Sequence, residues 1–255
     1  MSIENENIMG YQVVYSGVNA CIKQIVSWIE AGKKGKYFVC ANPHALEVAK
    51  SDKIFSQAIK EADLVVPDGI GIIIASKILG GQIGERITGS DIFWELCLAL
   101  NGRGHFRYFF LGSTHETLTK ISDKMKLDFP FIEVVGIYSP PFKKEFSAND
   151  NLLMIETINQ AKPDVLWVGM TAPKQEKWIY HNRHSLDVKF IGAIGAVFDF
   201  YAGNIRRSSS WFLNHGLEWL PRLLQEPGRL WERTLISAPL FLMSVLADRF
   251  RKILQ

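Results

Sequence analysis

Between residues 37 and 194 the chain alternates short β-branched or aromatic runs with amphipathic stretches of helical length, and this rhythm constrains the fold more than any other feature. Tyr37–Cys40, Asp63–Val66, Arg107–Leu111, Ile132–Gly136, Asp164–Gly169 and Lys189–Ile194 read as strands, each bounded by Gly, Pro, Asn or Asp. Ala45–Ala62, Ile70–Leu79, Ser90–Leu100, Glu116–Leu127, Asn151–Ala161 and Lys174–His184 between them fit helices. Near-continuously apolar strands separated by helices predict an α/β fold, a Rossmann-like, mostly parallel sheet with helices on both faces. The strand rhythm stops near Ser208, so the expected division is an α/β catalytic domain over 1–207 and a helical C-terminal appendage over 208–255.

A chain of 255 residues with 47% hydrophobic and 22% charged residues has ample material for a core, which excludes a disordered or disulfide-scaffold protein. Three cysteines, Cys21, Cys40 and Cys97, form neither a disulfide framework nor a metal knuckle, and the N-terminus lacks the basic and apolar regions of a signal peptide. A cytoplasmic location is the resulting expectation. The charge is uneven: positions 206–255 hold eight Lys/Arg against four Asp/Glu, together with three Trp. A cationic, aromatic-rich tail suits phosphates or anionic lipid head groups. Leu235–Leu246 is almost wholly apolar but too short for a span of about 20 residues, and is flanked by Arg233, Arg249, Arg251 and Lys252 with Pro239 inside it. It is expected to lie on a membrane surface, the alternative being a helix packed on the domain or on a second subunit.

In parallel sheets ligands sit beyond the carboxyl ends of the strands, and there this chain collects small, polar and acidic residues. The loops are Cys40-Ala41-Asn42-Pro43-His44, Pro67-Asp68-Gly69-Ile70-Gly71, Gly112-Ser113-Thr114, Met170 to Glu176 and Gly195 to Asp199. Such residues also build ordinary strand-to-helix turns, yet five loops on one edge point to a site. Asp68 follows an apolar run and precedes a glycine, which suits a partly desolvated general base or, equally, a helix N-cap. Gly112-Ser113-Thr114 offers amides and hydroxyls at a helix N-terminus, a setting for phosphate.

Neither a P-loop nor a complete G-x-G-x-x-G is present, which disfavours a dinucleotide-dependent dehydrogenase, and the scattered histidines and missing Asp-x-Asp give no metal site. No cofactor is expected. A bound diphosphate would have to be neutralised by arginines, of which Arg222, Arg229 and Arg233 share a face if their helix is continuous, Pro227 notwithstanding. A non-catalytic module gripping a nucleotide sugar or polyanion is the other class considered, and the small net charge and missing nucleic-acid motifs argue against nucleic acid.

Taken in order, Asn42-Pro43, Ala62-Asp63 with Pro67-Asp68-Gly69-Ile70-Gly71, Arg86-Ile87-Thr88-Gly89-Ser90-Asp91, Phe110-Leu111-Gly112-Ser113, Pro173-Lys174-Gln175-Glu176-Lys177-Trp178, Phe198-Asp199 with Ala202-Gly203, and Gly216-Leu217-Glu218-Trp219-Leu220 with Glu226-Pro227-Gly228-Arg229 resemble the WecG/TagA/CpsF glycosyltransferases, glycosyltransferase family 26. The resemblance implies an inverting, metal-independent enzyme that moves a sugar from a UDP-sugar to a polyprenyl-diphosphate-linked sugar at the cytoplasmic membrane face, in bacterial surface or exported polysaccharide synthesis. It implies Asp68 as the base, with Asn42, Arg86 and Gln175 lining the donor and acceptor pocket. Gly112, Ser113 and the Thr171–Glu176 loop would hold the nucleotide, and Arg222, Arg229 and Arg233 would close over the diphosphate. Asp199, in the matched Phe198-Asp199, and Cys40, two residues ahead of the matched Asn42-Pro43, are also counted among the substrate-binding candidates. Where the family has T-x-N-P-E this chain has Cys40-Ala41-Asn42-Pro43-His44, and its R-A-P is here Arg207-Ser208-Ser209, departures that bear on substrate identity more than on reaction class. Self-association is a further possibility raised by the apolar C-terminal segment.

Overall fold

A computed structural model describes residues 3–205, 228 and 231–253. The chain opens with an antiparallel hairpin, β1 (Asn5–Ile8) and β2 (Tyr11–Val14), whose two-residue turn places both Met9 and Gly10 at positive φ, 53° and 89°. Helix α1 (Val18–Glu30) follows, burying Cys21, Ile22, Ile25, Val26 and Ile29 at helical spacing.

The remaining strands, β3 (Lys36–Ala41), β4 (Leu64–Pro67), β5 (Phe106–Gly112), β6 (Ile132–Tyr138), β7 (Val165–Gly169) and β8 (Phe190–Ala193), form one sheet in the order β4-β3-β8-β7-β5-β6. Every pairing in it is parallel. The connecting helices are α2 (Pro43–Ala49), α3 (Lys53–Lys60), α4 (Ile70–Leu79), α5 (Gly89–Leu100), α6 (His115–Asp128), α7 (Ala148–Ala161), α8 (Lys174–Asn182) and the short α9 (Val197–Tyr201). The expected α/β fold with a parallel sheet is therefore observed. One helix expected over Ala45–Ala62 is two, because Asp52 caps a new start, its side chain accepting the Phe55 N–H at 2.9 Å.

Both sheet faces are apolar and each carries its own core. Tyr37, Val39, Phe109, Leu111, Leu166 and Val168 face one side, where α2, α3, α4, α7 and α8 pack. Phe38, Tyr108, Phe110, Val165 and Trp167 alternate to the other, under α1, α5, α6 and α9. Trp167 is the hub of the second core, with Phe93 at 5.2 Å and Phe190 at 6.1 Å in edge-to-face contact.

The C-terminal segment joins the first face. A π-helical turn over Glu232–Ser237 runs into α10 (Ala238–Ile253), which packs on α2 and α4. Phe241 and Val245, one turn apart, are fully buried in the core. Pro239 falls just after the π-helical turn, in helical backbone that runs unbroken from Trp231 to Ile253, and the wider π-turn before it accommodates its ring and missing N–H. Among the described residues no helix is long and apolar enough to cross a membrane.

Candidate active site

The first strands and their connections decide where a ligand can bind. From β3 the chain leaves to α2 on one face, while from the adjacent β8 it leaves to α9 on the opposite face. Two neighbouring strands whose connections diverge open a crevice at their carboxyl ends. A cavity of about 680 Å³ occupies that crevice, walled by the loops after β3, β4, β7 and β8 and roofed by the C-terminal segment.

Asp68 lines it, half-buried, on the residue after β4. Its backbone N–H donates to the Ala41 carbonyl at 2.8 Å, and Ile87 N–H donates to the Pro67 carbonyl at 2.8 Å, so the loop is tied on both sides. The N-cap of α4 is Gly69, with no side-chain cap bond, so the capping role that Asp68 shared in the sequence reading falls to its neighbour. Asn42 is the N-cap of α2, its Oδ1 accepting from Ala45 N–H at 2.9 Å, with Pro43 preset for the first turn. The two helix starts meet closely: a Cβ on Gly71 would stand 2.4 Å from Pro43 Cγ. Glycine there lets α4 and α2 bring Asp68 and Asn42 to the same rim.

Cys40, at the end of β3, faces both carboxylates of the pocket. Burial pushes its thiol up, and Asp68 and then Glu176 push it further, so it is a neutral wall rather than a nucleophile. Arg86 also lines the cavity, ahead of Thr88, which starts α5 with a capping box: Asp91 N–H donates to Thr88 Oγ1 at 3.2 Å and Thr88 N–H to Asp91 Oδ2 at 2.8 Å. Thr88, Gly89 and Ser90 line the pocket as well and were not singled out from sequence, although Thr-x-x-Asp before an apolar run was the available signal.

After β7, Thr171 is exposed at the pocket edge whereas Gln175 and Glu176 are buried in its wall. Gln175 is braced at both ends, its Oε1 accepting Met170 N–H at 3.2 Å and its Nε2 donating to Glu176 Oε1 at 2.8 Å. From the opposite side come Arg233, Leu235 and Leu242. His44, on the first turn of α2, holds this segment through Nδ1 and the Ser237 hydroxyl at 2.9 Å, and Lys50 Nζ donates to Ser244 Oγ at 2.8 Å. Burial and then the Arg233 guanidinium hold the His44 imidazole below its ordinary range, with Glu232 opposing.

The structure thus gathers Asp68, Cys40, Asn42, Arg86, Thr171, Gln175, Glu176 and Arg233 around one cavity. Gly112, Ser113 and Asp199 do not line it. Asp199 is on α9, after β8; Val197 and Phe200 of that helix line the cavity while Asp199 itself does not, and Gly112 and Ser113 stand one strand further along the edge, since β5 lies beyond β7. There Ser113, at φ 48°, donates its N–H to the Gly169 carbonyl at 3.0 Å, and a Cβ on Gly112 would meet that same oxygen at 2.3 Å. Asn204 links Asp199 to this corner, its amide reaching Thr117 Oγ1 at 2.9 Å and Asp199 Oδ1 at 3.4 Å. Arg222 and Arg229 lie outside the described residues. Among the described residues no group of three or more His, Cys, Asp or Glu is placed to hold a metal ion.

Comparison with known proteins matches this arrangement to one family. The family described as "Glycosyl transferase WecG/TagA/CpsF family" aligns with residues 6–255. An N-acetylglucosaminyldiphosphoundecaprenol N-acetyl-beta-D-mannosaminyltransferase of Bacillus spizizenii is 33% identical over 84% of this chain and 79% of its own length. A protein of the same name from Bacillus subtilis strain 168 is 28% identical over 98% of this chain and 94% of its own. Another, from Staphylococcus aureus strain MW2, is 27% identical over 85% and 82%. A match that runs from the hairpin through the crevice to the C-terminal helix leaves one assignment: the chain belongs to the WecG/TagA/CpsF family of glycosyl transferases.

Proposed function

We propose that this protein is an inverting glycosyltransferase of the N-acetylhexosaminyl type that transfers a sugar from a UDP-sugar to a hydroxyl of a polyprenyl-diphosphate-linked saccharide. The observation that carries the reading is the composition of this crevice. Its floor and wall hold the carboxyls of Asp68 and Glu176 and the Arg86 guanidinium, while its roof, the C-terminal segment, is apolar at Leu235, Ala238, Pro239 and Leu242 and brings in Arg233. A polar floor under an apolar roof suits a diphosphate sugar attached to a hydrocarbon chain. The relatives' names, which specify an undecaprenol-diphosphate acceptor and an N-acetylmannosaminyl group, support the same substrate class for this chain.

In this reading Asp68 accepts the acceptor hydroxyl proton as its oxygen attacks C1 of the donor sugar from the face opposite the diphosphate. The C1–O bond to the phosphate then breaks with inversion. Arg86 and Arg233 balance the diphosphate charge without a divalent ion. The corner formed by Gly112, Ser113 and Asp199 supplies a hydroxyl and a carboxylate for the nucleoside, separate from the acceptor side. The outward face of α10 meets the bilayer: Leu240, Met243, Leu246 and Phe250 are 43% to 65% exposed on the side away from Phe241, alongside Arg249 and Arg251. This exposed face supports a peripheral seat on the inner leaflet, where the acceptor's lipid would reside.

Nuclear magnetic resonance of the product made from an α-linked UDP-N-acetylhexosamine and a short-lipid diphosphate acceptor tests the reading. A β-anomeric product formed in EDTA is expected. A retained configuration, or no product from any UDP-sugar, would overturn it.

A further inference from the structure

Among the described residues, Glu176 is a pocket carboxyl whose hydrogen bonding is incomplete. It occupies the first turn of α8 and is 4% exposed. Its Oε1 accepts from Gln175 Nε2, whereas its Oε2 is buried with no hydrogen-bond partner. Because Gln175 is itself anchored to the Met170 amide, the carboxyl is held in one orientation. A donor already occupies Oε1, so a proton on this group belongs on Oε2, and a ligand must meet it there. A buried polar atom without a partner is costly to the fold, a cost that recurs where a bound molecule completes the bonding.

The electrostatics give the direction of that bond. Burial raises the Glu176 carboxyl above the usual range, opposed by the Gln175 hydrogen bond, its own backbone amide and Arg233. The charged groups facing it are Arg233 from the C-terminal segment and, across Cys40, Asp68 from the β4 edge. Glu176 and Arg233 line the same cavity, so an anion that Arg233 holds there shares it with the Glu176 carboxyl. A carboxylate would repel a diphosphate at that position, and a carboxylic acid would donate to it.

Resting on the glycosyl-transfer reading above, we propose that Glu176 donates a hydrogen bond from Oε2 to the diphosphate oxygen that departs from the sugar, acting opposite Asp68. The acceptor hydroxyl proton passes to Asp68, the acceptor oxygen bonds to C1, and the C1–O bond to the phosphate breaks with both electrons leaving on the nucleoside diphosphate. Glu176 Oε2–H and Arg233 meet the charge that develops there. Glu176 keeps its proton, and Asp68 returns its own to solvent. The two carboxyls so divide acid and base duties by environment.

The test is the pH profile of kcat for the full chain and two variants. Glu176→Gln keeps an N–H donor and cannot ionise, so it should retain turnover within about tenfold and lose the alkaline fall expected of the wild type. Glu176→Met removes the donor and should lower kcat about 10²-fold with a smaller change in KM for the UDP-sugar. Wild-type-like kcat in Glu176→Met, or an alkaline limb unchanged in Glu176→Gln, would overturn the proposal. If Glu176→Met does not melt cooperatively, the Glu176→Gln profile decides. Absence of wild-type turnover would remove the glycosyl-transfer reading and this one with it, whereas active wild type with unimpaired Glu176→Met removes this one alone.

Discussion

Gly71→Ala is a one-carbon test of how the site is assembled. The added Cβ would stand 2.4 Å from Pro43 Cγ and 3.5 Å from Pro43 Cδ. Carbon atoms rest at about 3.5–4.0 Å, so α4 and α2 must separate by roughly 1 Å, because a proline ring cannot rotate out of the way. Overpacking of this kind costs about 1–3 kcal/mol, which lowers Tm by roughly 2–10 °C in a chain of this length. The functional cost is larger than the stability cost, since Asn42 opens α2 and Asp68 directly precedes α4. A misplacement of about 1 Å in a reacting geometry lowers turnover on the order of 10²-fold. Gly80→Ala is the control: it sits at the far end of the same helix at φ 82° with nothing within 4 Å of its Cβ, so it should cost about 1 kcal/mol of backbone strain and no activity. Thermal melts and steady-state transfer on the three proteins decide the matter. Gly71→Ala with wild-type kcat/KM and Tm would refute the claim that this helix contact sets the rim.

Further expectations follow from the same packing. Phe241→Ala empties a fully buried position and should cost about 3–5 kcal/mol, read in urea melts, with the C-terminal segment losing protease protection first. Met243→Glu and Phe250→Glu alter the exposed face of α10 and should leave Tm unchanged while reducing sedimentation with anionic vesicles; unchanged sedimentation would count against the membrane contact. His44 is held below its ordinary range, so its neutral form is favoured by folding: the stability it contributes is present above about pH 6.5 and is lost as pH falls through its lowered value. Tm of the wild type should drop more than that of His44→Gln between pH 7 and pH 5, and parallel curves would contradict this linkage.

The α/β class and all six strands of the parallel sheet were legible because each strand is apolar on both faces and ends in a turn-forming residue. The hairpin at Asn5–Val14 was not, since its strands are four residues each and the Met9-Gly10 turn lacks the usual Asn-Gly signature. The division of the site was also hidden. Sequence order places Gly112 between Arg86 and Thr171, yet the spatial order β8-β7-β5 sets Gly112 and Ser113 outside the cavity that holds the others, and Asp199 stays out of it although Val197 and Phe200 of the same helix line it. Strand order follows from which helix leaves to which face, a property of the assembled sheet. The C-terminal segment was read as lying on a bilayer or packing on the domain, and α10 has a face for each: Phe241 and Val245 turn inward, Leu240 and Met243 outward. Composition alone could not resolve two apolar stripes on one helix.

The central claim is that Asp68 drives sugar transfer to a lipid-diphosphate acceptor within this crevice. The direct measurement is acceptor-dependent UDP release by wild type and Asp68→Asn, with binding of the UDP-sugar followed in parallel by calorimetry. The account predicts rapid acceptor-dependent release by the wild type, a loss on the order of 10³-fold or more in Asp68→Asn, and unchanged donor binding. Near-normal release by Asp68→Asn would contradict it.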